Sequence, residues 1–179
     1  MLSIRRCDLP DQALHRRYQA EGAYVDCYTT VIRGAVAHEI FVATFYTTLL
    51  FKLERLILFA LLAKPSTDEQ ACRLAIGELN GFSAWTVESR TENQLLMCDY
   101  LSRTRSWFMV ALEDWEGDVV TRLYFGSVIV PDYNNTTRQR ELSVIFKLLL
   151  PFHKIYSRAL LAAAKFNLKK AHRIQSQFH

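Results

Sequence analysis

The chain has 179 residues, 50% of them hydrophobic and 22% charged, with a formal net charge of +4. That length suits one domain with a real core, and the composition excludes a disordered chain. Apart from a C-terminal cluster the basic residues are scattered, so no nucleic-acid partner is expected.

Cys7, Cys27, Cys72 and Cys98 show no CxxC spacing and no nearby histidine ladder. They read as reduced, buried thiols in a cytoplasmic protein, not as a zinc site. The first residues, MLSIRRCDLPDQALHRR, lack the apolar core of a signal peptide. Two apolar regions, 40–63 and 145–164, are interrupted by Lys52, Glu54 and Arg55 and by Lys147, His153, Lys154 and Arg158. Neither offers the ~20 nearly uncharged residues of a membrane span, so a soluble chain is expected. There is no GxGxxG, no P-loop and no metal motif, and no cofactor is expected.

In chain order, residues 1–22 read as an N-terminal extension, with a short helix from Leu9 to Ala20 ended by Gly22. Tyr24 to Ile32 reads as a strand. Ala37 to Leu62 is helical in character, with Thr47-Thr48 a weak spot where two helices meet. Phe41, Phe45, Leu49, Leu53, Leu56 and Ala60 keep helical spacing and are predicted to face a sheet. Ser66 and Glu69 are spaced as a capping box for a short helix that Gly77 ends.

Residues 82–131 read as a four-strand antiparallel meander, cut by turn signals near Glu92, Ser102 and Glu116. Centring the turns there puts Trp85, Val87, Leu95, Met97 and Asp99 on one face. Arg105, Trp107, Met109, Leu123, Phe125 and Ile129 join them, and this more apolar face is predicted to look at the helices. The other face carries Glu88, Arg90, Gln94, Leu96, Cys98, Thr104, Ser106, Phe108 and Tyr124. It reads as a partly covered face or a subunit contact. In this register Asp99 lies opposite both Arg105 and Trp85. The group is either a cross-strand ion pair near the sheet's end or the polar part of a ligand pocket.

The stretch PDYNNTTRQR, 131–140, reads as a polar loop whose Asn135-Thr136-Thr137 sequon carries no weight without export. A last helix is predicted from Glu141 to about Ala171, with Pro151 inside it and a kink near 147–151. Leu142, Ile145, Leu149, Phe152, Tyr156, Leu160 and Ala163 form its apolar stripe. Residues 172–179 are predicted to fray.

Strand, helices, meander and long terminal helix form an order that resembles the helix-grip fold of the START-like (SRPBCC) superfamily. The stretches that carry the likeness are Trp85-Thr86-Val87-Glu88, Arg103-Thr104-Arg105-Ser106-Trp107, Thr121–Gly126 and Leu149–Tyr156. Over roughly 24–170 the chain is similar to an uncharacterised bacterial domain family within that group. The resemblance implies an α+β domain of about five strands curled around a C-terminal helix, with helices inserted after the first strand. A full helix grip has seven strands. It also implies a gap between sheet and helix that takes a small apolar or amphipathic ligand, and it assigns no catalytic residue.

That gap is expected to be lined by Trp85, Met97, Trp107, Met109 and Phe125 from the sheet. Phe45, Tyr46, Phe152 and Tyr156 are expected from the helices, with Asp99, Arg105 and His153 as polar members. The first reading is a ligand-binding domain. The alternatives are a cyclase, isomerase or hydrolase using Asp99, Arg105, His153 and Tyr156, or a structural module whose mixed sheet face forms a homodimer. Ser106 and Ser127 lack a glycine elbow, so no nucleophile is expected.

Overall fold

A computed structural model describes residues 3–63, 65–134, 139–141 and 144–176. Its centre is a seven-stranded antiparallel sheet. The strands are β1 (Arg5–Arg6), β2 (Tyr24–Arg33), β3 (Gly81–Phe82), β4 (Trp85–Arg90), β5 (Gln94–Asp99), β6 (Thr104–Trp115) and β7 (Asp118–Ile129). They lie in the order β1-β2-β7-β6-β5-β4-β3, so the first long strand closes against the last. Five of these match the five strands expected. The other two, β1 and β3, have two residues each, too few to show alternation in sequence. A separate hairpin of β8 (Asp132–Asn134) and β9 (Gln139–Glu141) occupies part of the stretch expected to be loop. The Asn135–Thr137 sequon lies outside the described residues.

The helices are α1 (Arg16–Ala20), α2 (His38–Tyr46), α3 (Leu49–Leu62), α4 (Asp68–Ala75) and α5 (Val144–Ser176). Three of them fall between β2 and β3. α1 is less than half the length expected, because only the end of the Leu9–Ala20 segment is helical. The break at Thr47-Thr48 occurs as anticipated: the Thr48 hydroxyl caps α3 by accepting from Phe51 N at 3.2 Å. The α4 capping box is shifted by one residue, to Thr67 and Gln70. α5 continues to Ser176, so residues 172–176 are helical where fraying was expected.

The break after α2 redirects α3. Phe41 and Phe45 lie on the sheet with no solvent exposure to speak of, but Leu49, Leu53 and Leu56 are mostly exposed. The single sheet-facing stripe expected across both helices is therefore confined to α2. On α5 the expected stripe also turns: Leu149 and Phe152 are exposed, while Leu160, Leu161, Ala164 and Leu168 enter the core.

Register decides the rest. The β6–β7 turn is a tight two-residue connection at Glu116 and Gly117, with φ of 55° and 86°. Two positive φ values in succession suit a primed turn, whose twist matches paired strands, and glycine supplies the second without strain. The β5–β6 turn pairs Cys98 with Arg105, not Asp99 with Arg105. The Asp99 carboxylate instead holds the turn, accepting from Arg103 N at 2.7 Å and Thr104 N at 2.8 Å. This one-residue shift moves all of β6 to the other face. Arg105, Trp107 and Met109 point away from the helices; Thr104, Ser106 and Phe108 point toward them. A second shift of one residue at the β6–β7 turn restores Leu123, Phe125 and Ile129 to the helix side. A bulge between Val87 and Ser89 brings Arg90 there too, and its guanidinium caps α4 at the Leu74 and Ala75 carbonyls.

The face turned away from the helices is covered by the N-terminal segment. His15, fully buried, packs against Trp107 in a tilted contact with ring centroids 4.2 Å apart. Gln94 is satisfied on both sides of its amide: Oε1 accepts from Trp107 Nε1 and Leu14 N, and Nε2 donates to the Gln12 carbonyl. Gly126 is required beneath this layer. A Cβ there would stand 2.7 Å from the Asp26 carbonyl oxygen and 2.8 Å from His15 Nε2.

Candidate functional site

Between the helix side of the sheet and α2, α3 and α5 lies a cavity of about 530 Å³. Its depth is set by aromatic packing. Phe45 is wedged against Phe108 and Phe125 with centroids 4.8 and 4.7 Å away, and Tyr46 packs on Phe51 and Phe82. These rings, in edge and tilted contacts, build the wall without filling the space between sheet and α5. Trp85, Ser106, Phe125 and Ser127 contribute from the sheet. Glu54 comes from α3, and His153, Tyr156 and Ser157 come from α5. Leu53, Ile57 and Phe152 also line it and are each half or more exposed, so they form its rim.

Two polar groups interrupt the apolar wall. The first joins β2, β7 and α5. Asp26, whose side chain is wholly buried, accepts from Ser127 N at 3.0 Å and from Ser127 Oγ at 2.6 Å. His153 Nε2 lies 2.8 Å from Ser127 Oγ and 3.7 Å from Asp26 Oδ2. With the serine proton given to Asp26, the histidine Nε2 is the donor to Ser127. Burial pulls the His153 pKa down and Asp26 pulls it back up, with burial prevailing. In an acyl-transfer triad the imidazole stands between hydroxyl and carboxylate. Here the serine stands in that place, so the imidazole does not activate it, and the group is a hydrogen-bonding array.

The second joins α3 and α5: the Tyr156 hydroxyl donates to Glu54 Oε2 at 2.5 Å. Burial raises the Glu54 pKa and the tyrosine bond lowers it, with burial the larger effect. The Tyr156 phenol is pushed up by burial and by Glu54. Close by, the Tyr46 hydroxyl and the Trp85 indole N–H are buried with no hydrogen-bond partner among the described residues. Buried polar groups are nearly always paired, so two unpaired ones beside one cavity call for an explanation.

Of the twelve residues expected at the site, Trp85, Phe125, Phe45, Tyr46, Phe152, His153 and Tyr156 do line the cavity, while Met97 is packed in the core on the same side. Trp107 and Met109 lie on the opposite face, where they pack with Leu96 and Val128 under the N-terminal segment. Asp99 is a turn residue. Arg105 borders the cavity from its place on β6, but its guanidinium is engaged on the opposite face. There Nε donates to Glu88 at 2.9 Å and to the Tyr18 hydroxyl at 3.0 Å, and the group lies over the Tyr18 ring. The acid–base cluster of Asp99, Arg105, His153 and Tyr156 therefore does not assemble. His153 and Tyr156 share the cavity but belong to separate polar groups.

The residues that sequence reasoning passed over are Asp26, Glu54 and Ser127 as polar partners. Each interrupts an apolar run: Asp26 in Tyr24–Ile32, Glu54 in α3, Ser127 between Phe125 and Val128. A carboxylate inside a strand that is otherwise apolar was the available signal.

Among the described residues no group of three histidine, cysteine, aspartate or glutamate side chains is placed to hold a metal ion. No described helix is long and apolar enough to cross a membrane. Comparison with family models, with curated proteins and with solved structures returns no match.

Proposed function

We propose that this chain binds a small, largely apolar or amphipathic molecule in the cavity between its sheet and α5. The observation that carries the reading is the cavity itself. Its volume, about 530 Å³, falls within the ~300–1,000 Å³ of small-molecule sites, which are mostly apolar with a few placed polar groups. The unpaired Trp85 N–H and Tyr46 hydroxyl support a ligand with a hydrogen-bonding end, and the aromatic wall supports an apolar body. The seven-strand order, with helices inserted after β2 and a terminal helix on one face, supports a helix-grip-like architecture of START-like type.

The enzyme reading loses its expected acid–base group, and neither observed polar group contains an activated nucleophile. The homodimer reading relied on an open second sheet face, and the N-terminal segment lies on that face. Binding is therefore the reading we retain.

Native mass spectrometry of the purified chain, followed by solvent extraction, tests it directly. The expected result is a retained small molecule, or uptake of an apolar fluorescent probe that quenches Trp85 emission. Ser106→Phe, which places a ring in the cavity, is expected to abolish retention while the chain stays folded. Retention unaltered by Ser106→Phe, or no uptake by the unaltered chain, would sink the proposal.

A further inference from the structure

A pair of sulfurs stands on the face away from the cavity. β1 pairs with β2 at Arg5↔Thr29 and Arg6↔Tyr28, and the next rung sets Cys7 opposite Cys27. Cys7 N donates to the Cys27 carbonyl at 3.0 Å, which holds that rung in register. The two sulfurs are 3.2 Å apart and both thiols are free. Directly opposed residues in an antiparallel pair have Cα atoms about 4.5–5.5 Å apart, inside the span that a disulfide bridges. Closing the bond needs sulfur movement of only about 1 Å, with no change of backbone register.

The two thiols are unequal. Cys27 is buried, whereas Cys7 is partly exposed. The contact with Cys27 lowers the Cys7 pKa against the effect of burial, and Arg122 adds to the lowering. The same contact and burial push the Cys27 thiol up. Cys7 is thus the accessible, more acidic member and Cys27 the shielded one, the arrangement of an attacking and a resolving thiol.

We propose that Cys7 and Cys27 are a reversible disulfide site, oxidised by thiol–disulfide exchange with a small-molecule disulfide of the glutathione type. The Cys7 thiolate attacks one sulfur of the small disulfide, forms a mixed disulfide and expels one small thiolate, which takes up a proton. Cys27 then gives up its proton and attacks Cys7 Sγ, expelling the second small thiol. The protein loses two protons and two electrons, and the small disulfide gains them as two thiols. The bond ties the segment that covers the outer face to β2, at the residue next to Asp26.

Cys72 and Cys98 provide the internal control. Cys72 is exposed on α4, and a reagent choosing by access alone takes it first. The test equilibrates the full chain in mixtures of oxidised and reduced glutathione, traps free thiols by alkylation and maps the peptides by mass spectrometry. A Cys7–Cys27 linked peptide is expected to grow with the oxidised fraction and to disappear in excess reduced glutathione. It should persist in a Cys72→Ser, Cys98→Ser chain, and in Cys7→Ser the remaining Cys27 should take up glutathione at least about tenfold less than Cys7 does in the unaltered chain. Because Cys27→Ser alters a buried position, the partly exposed Cys7→Ser decides the test. Glutathione remaining on Cys7 without resolution, or modification confined to Cys72, would overturn the proposal.

Discussion

On the outer face of the sheet, Trp107 is fully buried, its indole N–H is paired with Gln94, and Gln94 is in turn paired with the segment above it. On the inner face, Trp85 is only partly buried and its indole N–H has no partner among the described residues. Two tryptophans of one sheet thus sit in opposite conditions. The outer layer is closed over by one short stretch of chain, with Gly126 cut to the thickness available, and both His15 ring nitrogens are buried in it with no hydrogen-bond partner among the described residues. The inner layer is left open because α3 turns away after Thr48 and α5 lies across the gap. Close packing is where stability comes from, and an unfilled gap is where binding can occur.

Truncation separates the two most sharply. Trp107→Ala removes a buried ring and one of the two donors to Gln94 Oε1, and is expected to cost about 3–5 kcal/mol. Trp85→Ala is expected to cost much less and to reduce ligand retention instead. Urea denaturation of both variants checks the first part and native mass spectrometry the second. A larger loss of stability from Trp85→Ala than from Trp107→Ala would erase the distinction between the faces.

Acid is the next lever. Burial lowers the His15 pKa from 6.5 to about 4, partly offset by the Asp26 carbonyl, and burial with help from Arg90 brings His38 to about 4 as well. Between those values the unfolded chain binds more protons than the folded one, so stability rises with pH through the window and is complete above it. It is lost as pH falls from 6.5 toward 4, with a ceiling of roughly 3 kcal/mol for His15. Replacing His15 by leucine is expected to remove the outer face's share of that slope and leave the share of His38 at the start of α2. Denaturation midpoints across the window, with and without the substitution, measure the two shares separately. A slope unchanged by His15→Leu would mean that the covering segment opens before the imidazole titrates.

How much of this was readable in the sequence follows from the same register arithmetic. The strand runs, the helix break at Thr47-Thr48 and the pairing of Trp85 with Asp99 were legible, because alternation, β-branching and a short polar turn all act locally. The face of β6 was not. Its sense depends on whether the turn before it closes on Ser102 or half a residue earlier, and that depends on the Asp99 carboxylate capturing two backbone N–H groups. The cover over the outer face was hidden for a different reason. Nothing in residues 7–20 marks Leu14 N or the Gln12 carbonyl as partners for a glutamine some eighty positions on. Asp26 and Ser127, paired across β2 and β7, are equally non-local, and the cavity's polar group could be found only once those strands were joined.

Arg105 gives the smallest effect and the most direct reversal of the sequence-based expectation. With Asp99 opposite it, its loss would weaken ligand retention; in the observed register its loss should leave the pocket alone. Burial works to raise the Glu88 pKa, but the hydrogen bonds from Tyr18, Arg17 and Arg105 outweigh it and hold the carboxylate below its ordinary range. Arg105→Ala takes away one of those donors and the cation over the Tyr18 ring, leaving Arg17 and Tyr18 still on Glu88. A partly solvated network that keeps two of its three donors loses only about 1 kcal/mol. Ligand retention should be unchanged, since the guanidinium stands on the far side of β6 from the cavity. A variant that keeps its stability but releases its ligand would return Arg105 to the inner face and, with it, undo the assignment of both layers.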